Sequence, residues 1–410
     1  MEQALRGVRV VEFAVGMAGP WIGRFMAHCG AEVIRVESKE RPGVVRLYVP
    51  PWAPEMGVQP EMSPWFTDWD AGKRFVALDL TRPEAVELSK RLVAASDIVV
   101  ENYASGVMEK LGLGYRDLAA ARPDVIVLSS TGYGDSGPNR SYVSWGPNVE
   151  ALSGLAVLSG FPERECSMTQ YAYPDALCAL HGLFAVLCAL DHRRRTGTGQ
   201  YIELSQFEAT VGALGPLMME PLTLGREPER LGNRSTRAAP HGCYRCRGED
   251  RWCAISVFDD AEWKRFCRLL DREEWLADPS FAGLAARIEN AEELDRLVEE
   301  WTQVRAEYEV MAAMQGAGIA AGVVQNTKDQ LHRDPQLKAR QFFEEIDHLK
   351  KGKVVATGIP LGLSGTPGRT THAGSSVGQD NAYVFGEILG LSPGEIERYI
   401  AVGAIEPADS

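Results

Sequence analysis

Short apolar runs alternate along the first half of the chain with stretches whose apolar residues recur every three to four positions. Val8-Arg9-Val10-Val11-Glu12-Phe13-Ala14 is rich in β-branched residues and predicts a strand. Gly16-Met17-Ala18-Gly19-Pro20 predicts a turn, and Trp21 to Cys29 a helix. Glu32-Val33-Ile34-Arg35-Val36-Glu37 is the next strand. Strand, helix and strand in this order form a βαβ unit, which implies a parallel sheet. Further strands are expected at Phe75-Val76-Ala77-Leu78, Asp97-Ile98-Val99-Val100 and Val125-Ile126-Val127-Leu128, with a helix from Pro83 to Ala94. An open α/β sheet of this kind binds ligands beyond the carboxyl ends of its strands.

Residues 40 to 70 are rich in Pro and Trp, show no period, and predict an excursion over the surface. A long apolar helix runs from Asp175 to about His192, followed by a turn through Thr196-Gly197-Thr198-Gly199 and a strand at Tyr201-Ile202-Glu203-Leu204. The composition shifts near Gly225-Arg226-Glu227-Pro228. A strand pair then spans Gly242 to Arg247 and Arg251 to Val257, and helices rich in Glu and Arg follow. The pattern divides the chain into a large domain at 1–224, a smaller α/β domain at 225–325 and a strand-rich return segment at 326–410.

The length of 410 residues fits two or three domain-sized units. Apolar and charged fractions of 45% and 24% are ordinary for a soluble enzyme. No apolar run is long enough to suggest a membrane span. The first residues lack a signal-peptide apolar core. A net charge of −13 argues against nucleic-acid or anionic-membrane partners, though it leaves room for a local basic pocket. The 8 cysteines are too sparse for a disulfide framework, and Cys243-x-x-Cys246 has no second ligand pair for zinc. Reduced thiols, no metal and a cytoplasmic protein are the expectation.

Asp175 follows Pro174 at the start of the long apolar helix. Pro suits a helix start, and a carboxylate there lies over unpaired backbone N–H groups and the positive end of the dipole. The residue is expected to be ionised and flanked by donors able to bind an oxyanion. An ordinary helix-start acid fits the same pattern. Gly16-x-x-Gly19, with Glu37 ending the next strand, approaches a dinucleotide fingerprint but has the wrong spacing. Gly132-Tyr133-Gly134-Asp135-Ser136-Gly137 has the spacing but is followed by Pro138, Asn139 and Arg140, a loop. A Gly-x-Ser-x-Gly elbow and a His-x-x-x-His pair are both lacking, which leaves a serine nucleophile or a catalytic zinc little support.

Several segments, in this order and spacing, resemble the class III coenzyme A-transferases, a family that also holds α-methylacyl-CoA racemases. They are Arg6 to Phe13 with Ala18-Gly19-Pro20, Gly30 to Glu37, Gly72-Lys73-Arg74 with Leu78-Asp79-Leu80, Asp97 to Tyr103, and Gly197 to Ser205. The resemblance covers most of the chain. It implies a Rossmann-like large domain with a smaller α/β domain, and two chains interlocked as a dimer, either identical or related. It further implies that Asp175 is a nucleophile acting on acyl-CoA thioesters, with coenzyme A as substrate and no tightly bound cofactor. By the same family pattern Met17, Ala18, Arg35, Lys39, Lys73, Asn102, Tyr103 and Lys110 are candidates for contacting coenzyme A.

The implied route forms a mixed aspartyl anhydride, then an aspartyl-CoA thioester, and runs the same steps in reverse with an acceptor acid. The chain also departs from the family. Racemases carry a Gly-His-Asp motif where this sequence has Ser144-Trp145-Gly146, so transfer is favoured over racemisation. After Gly232-Asn233 there is no Gly-rich loop, but Arg234-Ser235-Thr236-Arg237. Tyr142, Trp145, Tyr171 and Tyr173 are aromatic candidates for an acyl pocket, and Arg234 and Arg237 for a second carboxylate. Succinyl-CoA as donor and an aryl-substituted succinate such as benzylsuccinate as acceptor would suit them. A subunit of a heteromeric transferase and an acyl-CoA racemase are the alternatives.

Overall fold

The structure, a computed structural model, describes residues 2–51 and 54–408. The chain forms two compact units. The first comprises residues 1–156, 168–226 and 336–410; the second comprises 157–167 and 227–335. The second unit therefore takes in a short earlier segment and runs past the expected boundary at 325.

The first unit is built on six strands, β1 (Arg9–Phe13), β2 (Glu32–Glu37), β3 (Arg74–Ala77), β4 (Ile98–Glu101), β5 (Ile126–Thr131) and β6 (Gln200–Ser205). All neighbouring pairs are parallel, in the order β3-β2-β1-β4-β5-β6. This is the doubly wound order whose switch point lies between β1 and β4. Helices follow the strands: α1 (Ala18–His28), α2 (Pro64–Trp69), α3 (Pro83–Ala94), α4 (Val107–Lys110), α5 (Tyr115–Ala121), α6 (Gly146–Leu152), α7 (Leu155–Leu158), α8 (Tyr173–Thr196), α9 (Gln206–Ala213) and α10 (Gly215–Leu224).

Alternate strand residues go to opposite faces of the sheet, and each face has its own core. Val11, Phe13, Ile34, Val36, Val76, Val99 and Val127 are buried with α3 and α5. Val10, Val33, Ile98, Val100, Ile126 and Leu128 are buried with α1 and α8. Burial on both faces explains why the central strands read as largely apolar runs. Each such side chain contributes about 1.5–3 kcal/mol.

Helix α8 is apolar and long enough to cross a membrane by length and composition, which the sequence reading did not anticipate. One face is a core face, with Cys178, Ala179, Gly182, Val186 and Ala189 buried. Gly182 allows the close approach: a Cβ there would lie 2.8 Å from Ile22 and 3.0 Å from Leu128. The other face exposes Leu180, Phe184 and Leu187. Helix α10 has no buried residue and exposes Leu217, Met218, Met219, Leu222 and Leu224.

Residues 40–70 are only in part a surface excursion: Pro54, Glu55, Val58 and Gln59 are exposed, but the flanking stretches hold buried residues. Val45, Phe66 and Trp69 are buried with Met17 and Phe75 in a core of their own. Ser63 caps α2, accepting from the Phe66 N–H. Non-periodic Pro and Trp residues hide burial, because segments without regular structure carry no repeat to read.

The second unit has an antiparallel sheet in the order β7 (His241–Arg245), β8 (Trp252–Ser256) and β9 (Ala320–Val323). Its helices pack around Trp263, Phe266, Trp275 and Phe281. The return segment of the first unit holds a hairpin, β10 (Phe343–His348) with β11 (Gly352–Thr357).

Candidate active site

A cavity of about 610 Å³ opens in the first unit at the carboxyl ends of β1, β4 and β5. Val15, Gly16 and Met17 follow β1; Asn102, Tyr103, Ala104 and Ser105 follow β4; Ser130 and Thr131 end β5. The cavity thus occupies the switch point, where successive connections leave the sheet in opposite directions and open a crevice. The Asn102 amide ties the two central strand ends together. Its Nδ2 donates to Val15 O at 2.8 Å, and its Oδ1 accepts from Val15 N at 2.7 Å.

Asp175 lies in the first turn of α8 and lines this cavity. The helix begins at Tyr173, slightly earlier than the sequence pattern suggested, with Pro174 inside the first turn. The expected backbone donors are scarce. Pro174 has no N–H, and the Tyr173 N–H donates to Tyr171 O at 2.8 Å. A side chain from the next helix supplies a donor instead. Gln206 Nε2 donates to Asp175 Oδ1 at 3.0 Å. Gln206 is 7% exposed and opens α9 behind Ser205, whose hydroxyl accepts from the Glu208 N–H. The other carboxylate oxygen faces Gly146, where a Cβ would lie 3.0 Å from Oδ2.

Burial pushes the Asp175 carboxyl up to about 6, opposed by the Gln206 hydrogen bond. The group is still mostly ionised at neutral pH, but it is less firmly so than a helix-start acid alone would suggest. One turn on, the buried Cys178 thiol sits 3.1 Å from Ser130 Oγ, and burial pushes it up to about 12. It is a packed thiol, with no thiolate character at neutral pH.

The remaining wall is largely aromatic: Trp65, Trp69, Tyr133, Tyr142, Trp145 and Tyr171. Trp65 and Trp69 come from the segment whose burial the sequence pattern did not reveal. Tyr173 lies outside the lining and is exposed. Among the described residues, Arg140 is the single Lys, Arg or His that lines the cavity. It stands after Gly137, on a loop whose first residues are pinned. Gly134 N donates to Thr131 Oγ1 at 2.9 Å, Asp135 N donates to Glu203 at 2.6 Å, and the Tyr201 hydroxyl donates to Asp135.

The basic candidates fare differently. Lys73 is fully buried, and its Nζ donates to Glu12 Oε1 at 2.9 Å, Asp70 Oδ1 at 2.7 Å and Pro20 O at 2.8 Å. Arg35 is fully buried and donates to Asp70 Oδ1 at 2.5 Å, with Glu37 at 3.5 Å. Both cations expected at coenzyme A are thus buried and paired with carboxylates, outside the cavity lining; moving either to a phosphate would leave carboxylates short of a partner. Arg46 completes the cluster, 2.7 Å from Glu37 and stacked 3.7 Å over the Phe66 ring. Burial lowers and three carboxylates raise the Arg35 guanidinium, with a net upward result. Burial lifts Glu12 to about 6 against the pull of Lys73 and Arg35.

Met17, Asn102 and Tyr103 line the cavity, whereas Ala18 is buried outside its lining. Lys110 is exposed on α4, and Lys39 is half-buried with its backbone N–H on Glu406 at 2.5 Å; neither lines the cavity. Arg234 and Arg237 belong to the second unit. Arg234 lines a separate cavity there, 3.8 Å from Asp295, and Arg237 is exposed. Among the described residues no group of three or more His, Cys, Asp or Glu side chains could hold a metal.

Comparison with known proteins gives consistent matches. The model of CoA-transferase family III matches residues 5–381. A succinyl-CoA–D-citramalate CoA-transferase of Chloroflexus aurantiacus is 31% identical, over 96% of this chain and 96% of its own. The alpha subunit of a succinyl-CoA–L-malate CoA-transferase of the same organism is 30% identical, over 96% of this chain and 91% of its own. Among solved structures, a CaiB/BaiF family protein from Brucella suis superposes with a TM-score of 0.87 at 30% identity, covering 95% of this chain and 100% of that one.

Proposed function

The chain belongs to CoA-transferase family III, and from that premise we propose that it passes coenzyme A from an acyl-CoA donor to a dicarboxylic acid through adducts on Asp175. One observation carries the reading. Asp175 is a desolvated carboxylate with a neutral donor on one oxygen, at the wall of an apolar cavity at the sheet's switch point. A carboxylate so placed is poorly solvated and still anionic at neutral pH, which suits a nucleophile.

The steps balance without net proton transfer. An Asp175 oxygen attacks the thioester carbonyl carbon; the C–O bond forms, the C–S bond breaks and coenzyme A leaves as thiolate. The thiolate attacks the Asp175 acyl carbon of the anhydride and expels the donor acid as a carboxylate. The acceptor carboxylate attacks the aspartyl-CoA thioester, releasing thiolate and forming a second anhydride. The thiolate then attacks the acceptor's acyl carbon, and Asp175 returns as a carboxylate. Catalysis is chiefly positioning of coenzyme A while the acids exchange.

Met17, Asn102 and Tyr103 would flank the pantetheine arm, and Lys39 and Lys110 would meet its phosphates. Arg140 replaces Arg234 and Arg237 as the group to pair a second carboxylate, since it is the cation on the cavity wall. The relatives named above act on succinyl-CoA with malate or citramalate, which are dicarboxylic acids. The aromatic wall leaves room for an aryl-substituted succinate such as benzylsuccinate. The test is transfer from succinyl-CoA to succinate analogues, benzylsuccinate, oxalate, formate and a simple monocarboxylate. Preference for formate or oxalate, or indifference to the second carboxylate, overturns the substrate reading and leaves the transferase reading standing.

We also propose that a second copy of the chain covers the apolar faces of α8 and α10, as an interlocked dimer. Exposed apolar surface on two helices of one unit is costly to leave in water. Light scattering on the eluted protein should give the mass of two chains; the mass of one chain would refute it.

A further inference from the structure

We propose that Gln206 is a catalytic residue of the transfer: its side-chain amide selects which Asp175 oxygen attacks and stabilises the oxyanion that later forms on the other. The proposal rests on the reading of Asp175 as nucleophile. The geometry distinguishes the two oxygens. Oδ1 accepts the Gln206 N–H at 3.0 Å, while Oδ2 faces the bare backbone of Gly146. A side chain at 146 would crowd Oδ2, whereas Oδ1 is the oxygen held by the Gln206 donor. Oδ2 is therefore the oxygen that becomes acylated.

The consequence lies in the next step. When the thiolate attacks the Asp175 acyl carbon, the C–S bond forms and negative charge collects on the oxygen that is not acylated. That oxygen is Oδ1, and the Gln206 N–H already points at it. The charge then collapses back to a carbonyl as the donor acid leaves as a carboxylate. The same donor meets the same oxygen when the acceptor acid attacks the aspartyl-CoA thioester. A neutral amide suits both duties. A Lys or Arg here would hold the resting carboxylate in an ion pair and blunt its attack, whereas an amide strengthens its bond only as charge accumulates. Gln206 is positioned for this by burial and by its place at the start of a helix capped by Ser205.

The experiment mixes enzyme with succinyl-CoA in the absence of acceptor and follows the CoA adduct on Asp175 by peptide mass against time. Gln206→Leu removes the donor; Gln206→Glu keeps the shape and loses the N–H donor, and it decides the matter if the Leu variant does not fold. The expected result is adduct formation slowed roughly 100-fold in either variant, with the KM for succinyl-CoA near that of the unaltered protein. An adduct that forms on Asp175 at the unaltered rate in folded variants overturns the role of Gln206 alone. An adduct on another residue, or none, in the unaltered protein overturns the Asp175 reading, and the role of Gln206 falls with it.

Discussion

Two sets of buried ionisable groups lie within the first unit, and they are built on opposite plans. Beneath β1, β2 and β3, three carboxylates (Glu12, Glu37, Asp70) meet three cations (Arg35, Arg46, Lys73), all buried. At the start of α8, one carboxylate has no cation beside it among the described residues, and it accepts an amide hydrogen bond from Gln206. In the first set nearly every charge is answered, so its members are fixed. In the second the charge is desolvated and unanswered, so it is available to a substrate. Compensation marks structure, and its absence marks reactivity.

The comparison is broken most severely at Asp175. Asp175→Asn keeps an acceptor for Gln206 but cannot form an anhydride. Transfer should fall at least about 10⁴-fold, with circular dichroism unchanged. Near-normal turnover would place the chemistry elsewhere.

Lys73→Met should act in the opposite sense. It leaves Glu12 and Asp70 short of a partner in the interior and should destabilise the protein by about 3–5 kcal/mol. Denaturant titration would show this, while the folded fraction should bind coenzyme A as before. A loss of affinity at unchanged stability would return Lys73 to the binding site.

The pH behaviour sharpens the contrast. The Asp175 carboxyl titrates near 6 when folded, above its usual 3.8, because burial favours the neutral form. The stability it lends is complete below the unfolded value and is lost as pH rises through about 6. Asp175→Asn should therefore be more stable than the unaltered protein at pH values above 6, by at most about 3 kcal/mol. Transfer by the unaltered protein should conversely fall about tenfold for each pH unit below 6. Equal melting temperatures at high pH would show that the carboxylate is better solvated than its surroundings suggest.

The smallest effect is expected at Arg140. Arg140→Gln should raise the KM of a dicarboxylic acceptor about tenfold and leave that of a monocarboxylic acceptor unchanged. An equal rise for both would remove Arg140 from acid recognition.

Much of the fold could be read from the chain because the sheet is buried on both faces. Apolar runs marked β1 to β5, β6 was read from Tyr201 to Leu204 although it is mostly exposed, and Pro83 fixed the start of α3. Asp175 was legible because Pro174 and an apolar run advertise a helix start. What failed has a common cause. The family pattern offered Arg35 and Lys73 as coenzyme A contacts, and sequence does not tell a buried cation from an exposed one unless its partners are known; Glu12, a partner of both, lies elsewhere in the chain. Gln206 went unnoticed for the same reason, since a lone Gln after a strand carries no pattern. Trp69 lay in a segment with no period to betray its burial, and its neighbour Trp65 gave no sign of lining the cavity. A cue for Gln206 did exist: a helix-start acid whose first turn contains Pro has lost a backbone donor and needs another.

The six-charge cluster also constrains how this protein can change. Each of its members answers at least one other, across strands β1 and β2 and the segment between β2 and β3. A single substitution strands a partner, so drift at these positions has to proceed in compensating pairs. Replacing the whole set with well-packed apolar side chains is the other route, and such exchanges are often neutral or stabilising. The cluster is thus a lock that opens only when several tumblers move together. A designer who wishes to remodel the neighbouring cavity should leave all six in place, or exchange all six at once.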